Sequence, residues 1–241
     1  MIEPIKIDEN VFWVGSYLKH AKISVNPYLI IDELPTLVDT GPEIVAIEIA
    51  EKINKLIEPK KIKYIAISHE HPDHMGALPL MLTFAYNSRV LTERRNRVFL
   101  YFLGIVGHMI DVKDGETINL GNGKLTFLKF PIETVSAMIM FLEPQGILFT
   151  QDIFGSVTLT ESDFKVITED DEKELEKTIK HIALFHNELE FDEKLLRLYL
   201  KRAIDFIGGI EKIKIIAPGH GSIIKGQKNT ERIFEHFLST K

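Results

Sequence analysis

Cysteine is absent from all 241 residues. That absence excludes disulfides, thiolate-bound zinc, iron–sulfur clusters and a cysteine nucleophile, so any metal has to be held by His, Asp or Glu. Long apolar runs are missing too. The longest, from Val98 to Ile110, is broken by Gly104, Gly107 and His108 and is too short to span a bilayer. The first ten residues mix Glu3, Lys6, Asp8 and Glu9 with apolar ones, unlike a secretory leader, so a cytoplasmic location is expected. Basic charge is not in excess: 29 Lys and Arg face 35 Asp and Glu, a formal net charge of −6. Neither nucleic acid nor insertion into a membrane is therefore expected. The densest basic stretch, Arg94-Arg95-Asn96-Arg97, is expected to face solvent at a helix start. No Gly/Ser-rich linker, repeat or low-complexity tract divides the chain, which points to one domain over residues 1–241.

What is present is an ordered change of period. Ile5 to Ile7, Val11 to Gly15, Tyr28 to Asp32 and Thr36 to Asp39 read as strands separated by turn residues. Ile44, Ile47, Ala50, Ile53, Leu56 and Ile57 then recur at helical spacing between Pro42 and Pro59. A strand to Ser68, a helix from Ala77 to Tyr86 and a strand from Arg89 to Leu91 follow. Strands return over Thr117 to Leu120 and Lys124 to Phe130, and a hairpin pairs Ala137 to Leu142 with Ile147 to Thr150. Helices over about Glu172 to Phe185 and Asp192 to Ile207, a strand Lys212 to Ala217 and a helix Asn229 to Leu238 complete the pattern. Two blocks, each strand-rich and then helical, suit an α+β chain with two sheets packed face to face and helices outside.

The chemistry is concentrated in Ser68-His69-Glu70-His71-Pro72-Asp73-His74, directly after the apolar stretch Ile62 to Ile67. Imidazole nitrogen and carboxylate oxygen bind divalent first-row metals, and a turn at the end of a strand can aim alternate side chains at one point. The alternative is a polar loop that merely happens to be rich in histidine. The spacing His-x-His-x-Asp-His resembles the signature of the metallo-β-lactamase superfamily, which implies an αββα sandwich with its metals at strand ends along one edge. Two further residues have that setting. Asp152 follows Ile147 to Thr150 and could bridge two cations; His220 follows Ile215-Ile216-Ala217-Pro218-Gly219 and could bind the second. His20, His108, His181, His186 and His236 lack it and read as ordinary structural histidines.

Within the superfamily the chain resembles the diiron domain of flavodiiron proteins. The resemblance runs through Asn26 to Glu33, Val38-Asp39-Thr40, His74-Met75-Gly76, Leu148 to Gly155 and Ala217-Pro218-Gly219-His220-Gly221. It implies a pair of irons, but the chain departs from the family's ligands at two places. His71 stands where the family has glutamate, and Glu133, in Phe130 to Met138, stands where it has histidine. The resemblance thus implies a first iron held by His69, His71, Glu133 and Asp152 and a second held by Asp73, His74, Asp152 and His220. Three carboxylates favour iron over zinc or manganese. Glu70 falls outside this set, and its truncation is expected to leave metal content unchanged.

No phosphate-binding loop for FMN is visible, and no flavodoxin domain is expected within the chain. The resemblance is best to stand-alone oxygen-binding diiron proteins, which are associated with bacterial chemoreceptors. It implies a protein that binds molecular oxygen as a diferric-peroxo species and acts as a sensor of oxygen or iron. A homodimer or higher homo-oligomer working with a chemoreceptor or a redox partner is expected. Two other readings stay open: an oxygen or nitric oxide reductase fed by a separate flavodoxin or rubredoxin, and a metal-dependent hydrolase. Phe84, Phe99, Tyr101, Phe102, Phe154 and Phe185 are expected near the site or in the ordinary core.

Overall fold

The computed structural model describes residues 3–107, 109–157, 160, 162 and 164–239. Short apolar strands separated by turn residues build the N-terminal half: β1 (Ile5–Asp8), β2 (Val11–Trp13), a small hairpin of β3 (Ser16–Leu18) and β4 (Ile23–Val25), then β5 (Tyr28–Ile30) and β6 (Thr36–Val38). Helix α1 (Ala46–Leu56) carries the chain to β7 (Tyr64–Ala66). Helices α2 (Pro72–Met75) and α3 (Leu78–Phe84) carry it to β8 (Arg89–Glu93), and α4 (Arg97–Phe102) leads to β9 (Met109–Val112). The seven larger-sheet strands lie in the order β1-β2-β5-β6-β7-β8-β9. From β6 to β9 they are parallel, as helical crossovers require, and the hairpin-linked strands before them are antiparallel.

The second half repeats the plan. Strands β10 (Glu116–Asn119), β11 (Lys124–Lys129), β12 (Met138–Glu143) and β13 (Ile147–Gln151) form an antiparallel run, followed by β14 (Val166–Ile167). Helices α5 (Glu172–Glu188) and α6 (Glu193–Ile207) precede β15 (Ile215–Pro218) and β16 (Ile223–Lys225), and α7 (Gln227–Ser239) ends the described chain. The sheet order is β10-β11-β12-β13-β15-β16-β14, with β15 parallel to β13. Helix α6 has clear ends: the Asp192 carboxylate accepts from the Lys194 and Leu195 N–H groups, and Gly208 closes it at φ 87°.

Three apolar layers hold this α+β sandwich together. Trp13, Tyr28 and Val38 of the first sheet meet Phe127, Met140 and Phe149 of the second between the sheets. Ile49 and Ile53 of α1 pack on the outer face of the first sheet, and Leu175, Leu200 and Phe234 of α5, α6 and α7 on that of the second. One expectation needs correcting. Ile44 is 82% exposed and Ile47 54%, while Val45, Ala46, Ile49, Ala50 and Ile53 are buried. A 3-10 turn over Glu43–Val45 precedes α1 and resets its phase, so the stripe facing the sheet is shifted from the one read by counting from Ile44. Strands β3, β4, β9, β14 and β16 were not among the expected elements; four of the five are only two or three residues long. Among the described residues no helix is long and apolar enough to cross a membrane.

The two sheets are also pinned at the edge where β5 and β12 begin and β7, β13 and β15 end. Asn26 Nδ2 donates to the carbonyls of Pro218 and Gly221, both at 2.9 Å, and Tyr28 Oη donates to Pro218 O at 2.7 Å. The Met138 N–H donates to Ser68 O at 3.0 Å.

Candidate metal centre

Six of the seven polar side chains of the centre sit where a strand has ended or on the short helix that follows one. β7 runs out at Ala66 and the chain turns through Ser68 and His69 into α2, a single turn that starts at Pro72, where a residue without an N–H does no harm. That turn puts Asp73 and His74 side by side. β13 ends at Gln151, which takes φ 46° before Asp152, and β15 ends at Pro218 before Gly219 and His220. Gly219 is required by proximity: a Cβ there would lie 2.5 Å from His74 Cε1. Glu133 arrives differently, on the irregular loop between β11 and β12.

The structure brings all seven sequence-derived residues together, in two groups. His69, His71, Glu133 and Asp152 form one and Asp73, His74 and His220 the other, with the donor atoms of each within 4.8 Å of one another. Asp152 also faces the second group: its Oδ2 is 3.5 Å from His69 Nε2, while its Oδ1 is 3.1 Å from His74 Nε2 and 3.2 Å from His220 Nε2. Asp73 Oδ2 lies 3.0 Å from His220 Nε2, and Glu133 Oε1 2.9 Å from His71 Nδ1. Donors that share a cation at about 2.0–2.2 Å sit roughly 3.0–3.5 Å apart, which these spacings match. His69 Nε2 and Glu133 Oε2 are buried 3.6 Å apart without a hydrogen-bond partner. Two such orphaned atoms aimed at each other fit a cation between them.

The imidazoles are oriented from behind. Asp39 Oδ2 accepts from His74 Nδ1 at 2.9 Å and from Ser68 Oγ at 2.8 Å. With its proton committed to Asp39, Ser68 Oγ is left to accept from His69 Nδ1 at 3.1 Å. His220 Nδ1 donates to Ser24 O at 2.7 Å. Three rings thus carry their proton on Nδ1 and turn the Nε2 lone pair inward, the tautomer a metal needs. Asp39 itself takes φ 54°, and the Ser68 N–H donates to its Oδ1 at 2.8 Å. Sequence reasoning gave Asp39 no role, although it follows β6 just as Asp152 follows β13.

Without a metal, the charges in the pocket answer to one another. Burial lowers the His69 pKa well below the usual imidazole value, with His74 adding to the effect. For His74 and His220 burial acts the same way but is outweighed by Asp152, helped by Asp39 and Asp73 respectively; His74 is raised and His220 reaches about 10. Burial opposes the charge on Asp73 and Asp152 too, and the facing histidines override it and lower both. Glu133 is pushed up to about 7, chiefly by burial. A cation would replace these protons and neutralise the carboxylates.

The remaining sequence candidates lie outside both groups. His20 and His236 are exposed and His181 half-buried, and His186 is buried with Nε2 donating to Ile153 O at 2.5 Å; His108 lies outside the described residues. Of the six aromatic residues, Phe185 reaches the centre, its ring 6.1 Å from that of His220. Phe154 packs on Phe234 and Phe237, Phe84 belongs to the layer under the first sheet, and Phe99, Tyr101 and Phe102 are exposed on α4.

Known proteins share this plan. The chain is 26% identical over 253 residues to a nitric oxide reductase of Moorella thermoacetica, covering 98% of this chain and 61% of that protein. It is 31% identical over 169 residues to the flavo-diiron protein FprA2 of Clostridium acetobutylicum, covering 63% of this chain and 42% of that one. The chain therefore spans less than two thirds of the length of these relatives. Among solved structures, the rubredoxin oxygen:oxidoreductase of Desulfovibrio gigas superposes with a TM-score of 0.85 at 22% identity over 98% of this chain and 60% of that one. A structure described as a peroxy diiron species of chemotaxis sensor ODP superposes with a TM-score of 0.77 at 19% identity, over 99% of this chain and 94% of the other. The α+β sandwich and the kinship with flavodiiron proteins expected from the sequence are thereby shown. A family model described as ODP family beta lactamase matches residues 23–221, a span that takes in all seven converging side chains, and the chain belongs to that family.

Proposed function

We propose that the protein is a non-haem diiron protein that binds molecular oxygen and signals its presence. The observation that carries this reading is the cysteine-free donor set of two groups sharing Asp152. Three carboxylates among seven donors suit iron and its ferric state better than an imidazole-rich zinc site would. These residues would hold a ferrous pair, which when bound would supply two electrons to oxygen. The protein's share is to hold the imidazoles in their Nδ1–H tautomers through Asp39, Ser68 and Ser24 and to keep one face open, where the His71 and Asp73 side chains are 38% and 39% exposed. The family match and the neighbour described as a chemotaxis sensor support sensing; a chemoreceptor as partner, a cytoplasmic location and a homo-oligomeric state are part of the same proposal.

A reductase is the second reading, favoured by relatives named nitric oxide reductase and coenzyme F420H(2) oxidase that match 98% of this chain. Protein purified without air and loaded with ferrous iron should hold two irons per chain. On mixing with oxygen it should develop a visible charge-transfer absorption that persists for minutes. Zinc at both positions after growth in iron-replete medium would sink the diiron reading and favour a hydrolase. Rapid loss of the band with repeated turnover, once a flavodoxin and its reductase are added, would favour the reductase.

A further inference from the structure

Six of the seven donors follow a strand end or lie on the short helix after one, but Glu133 stands mid-loop. The base of its loop is fixed by backbone bonds, Phe130 N–H to Ala137 O at 2.8 Å and Met138 N–H to Ser68 O at 3.0 Å. The stretch after Glu133 is held by side chains. Glu70 Oε2 accepts from Thr134 Oγ1 at 2.9 Å and from Ser136 Oγ, and Arg95 Nη1 donates to Val135 O at 3.1 Å. Ser136 is buried and Glu70 and Thr134 are half-buried, so the two bonds to Glu70 are partly shielded from competing water. Glu70 lies between His69 and His71, the two imidazoles that face Glu133. One residue thus ties the loop bearing the carboxylate donor to the loop bearing its two imidazole partners.

We infer that Glu70 is a positioning residue for the first metal group, a latch that holds Glu133 against His69 and His71. The inference rests on the diiron reading. It replaces the sequence-based expectation that truncating Glu70 leaves metal content unchanged. Without the latch, Glu133 would have to be ordered by the metal itself, and that ordering cost would weaken binding at the first group and spare Asp73, His74 and His220. One carbonyl oxygen can accept from both hydroxyls, so a glutamine at position 70 preserves the latch while removing the charge.

The test is anaerobic titration of the full chain with ferrous iron, read by iron bound per chain and by Mössbauer spectroscopy, with circular dichroism to confirm folding. Glu70→Ala should weaken the first iron by about 10- to 100-fold, as loss of a supporting partner does, and change the signal of one iron. Glu70→Gln should restore wild-type binding. Thr134→Val with Ser136→Ala removes the same bonds from the other side and should reproduce the loss, which keeps the test decisive if Glu70→Ala does not fold. In Glu133→Ala the further change Glu70→Ala should cost nothing more, since the latch has nothing left to place. Two irons bound with wild-type affinity in Glu70→Ala, or in the double hydroxyl variant, overturn the latch and leave the diiron reading standing. A wild-type chain that takes up no iron overturns the diiron reading and the latch with it.

Discussion

The two donor groups are built on different scaffolds. His74 and His220 are almost fully buried, stand where the chain leaves β7 and β15, and have Nδ1 held by Asp39 and by the Ser24 carbonyl. In the other group His69 is just as buried, but Glu133 sits on an irregular loop secured by side-chain bonds. Donors at the ends of paired strands inherit the rigidity of the sheet, whereas donors on a loop depend on whichever side chains tie that loop down. The second group should therefore hold metal more firmly and the first should be the easier to change.

Asp152 offers the strongest way to break the comparison, because it faces both groups. Asp152→Ala should empty both, with losses exceeding the roughly 10- to 100-fold typical of a supporting partner; elemental analysis showing one retained iron would refute the bridge. Asp39→Ala comes next. It removes the acceptor behind His74 directly and behind His69 through Ser68, so both irons should weaken by about 10- to 100-fold, while Ser68→Ala should affect the first alone. Glu133→Ala should weaken only the first iron, by about 10- to 100-fold or more, and equal iron in wild type and variant would remove it from the site.

The smallest effect is one of pH. In the metal-free chain His220 is raised from 6.5 to about 10, so its ion pair stabilises the fold fully below 6.5 and is lost as pH rises through 10. Glu133, raised from 4.5 to about 7, acts in the same sense over the lower range, since the buried carboxyl favours its proton. Below 6.5 His69, whose pKa burial lowers, acts in the opposite sense, so the unopposed fall lies higher: chelator-treated protein should melt at progressively lower temperature as pH rises between about 7 and 10. At about pH 8, metal uptake should release protons mostly on filling the second group, because His69 is already neutral; calorimetry in buffers of different ionisation enthalpy measures this.

Much of this was legible in the chain. A run such as Ile147 to Thr150 ending in an acid, or Ile215 to Ala217 ending in Pro-Gly-His, marks a strand delivering a donor to a sheet edge, and both proved to converge with the motif at His69. Residues that work from behind were not visible. Asp39 had the same setting as Asp152 and lacked only a motif to draw attention to it, while Ser68, Ser24 and Glu70 act through contacts between segments far apart in sequence. The phase of α1 was misread because a three-residue 3-10 turn leaves no mark in the apolar spacing.

Each donor group draws from both halves of the sandwich: His69, His71, Asp73 and His74 come off the first sheet, and Glu133, Asp152 and His220 off the second. The apolar contact between the sheets resists separation but has little direction of its own, so it opposes sliding only weakly. The bonds of Asn26 and Tyr28 to the Pro218–Gly221 segment supply some of that missing direction. Cations seated at this edge would act as rivets against shear. Filling or emptying the centre would alter how freely one layer glides over the other, and that change would be felt on the outer helices, far from any donor atom.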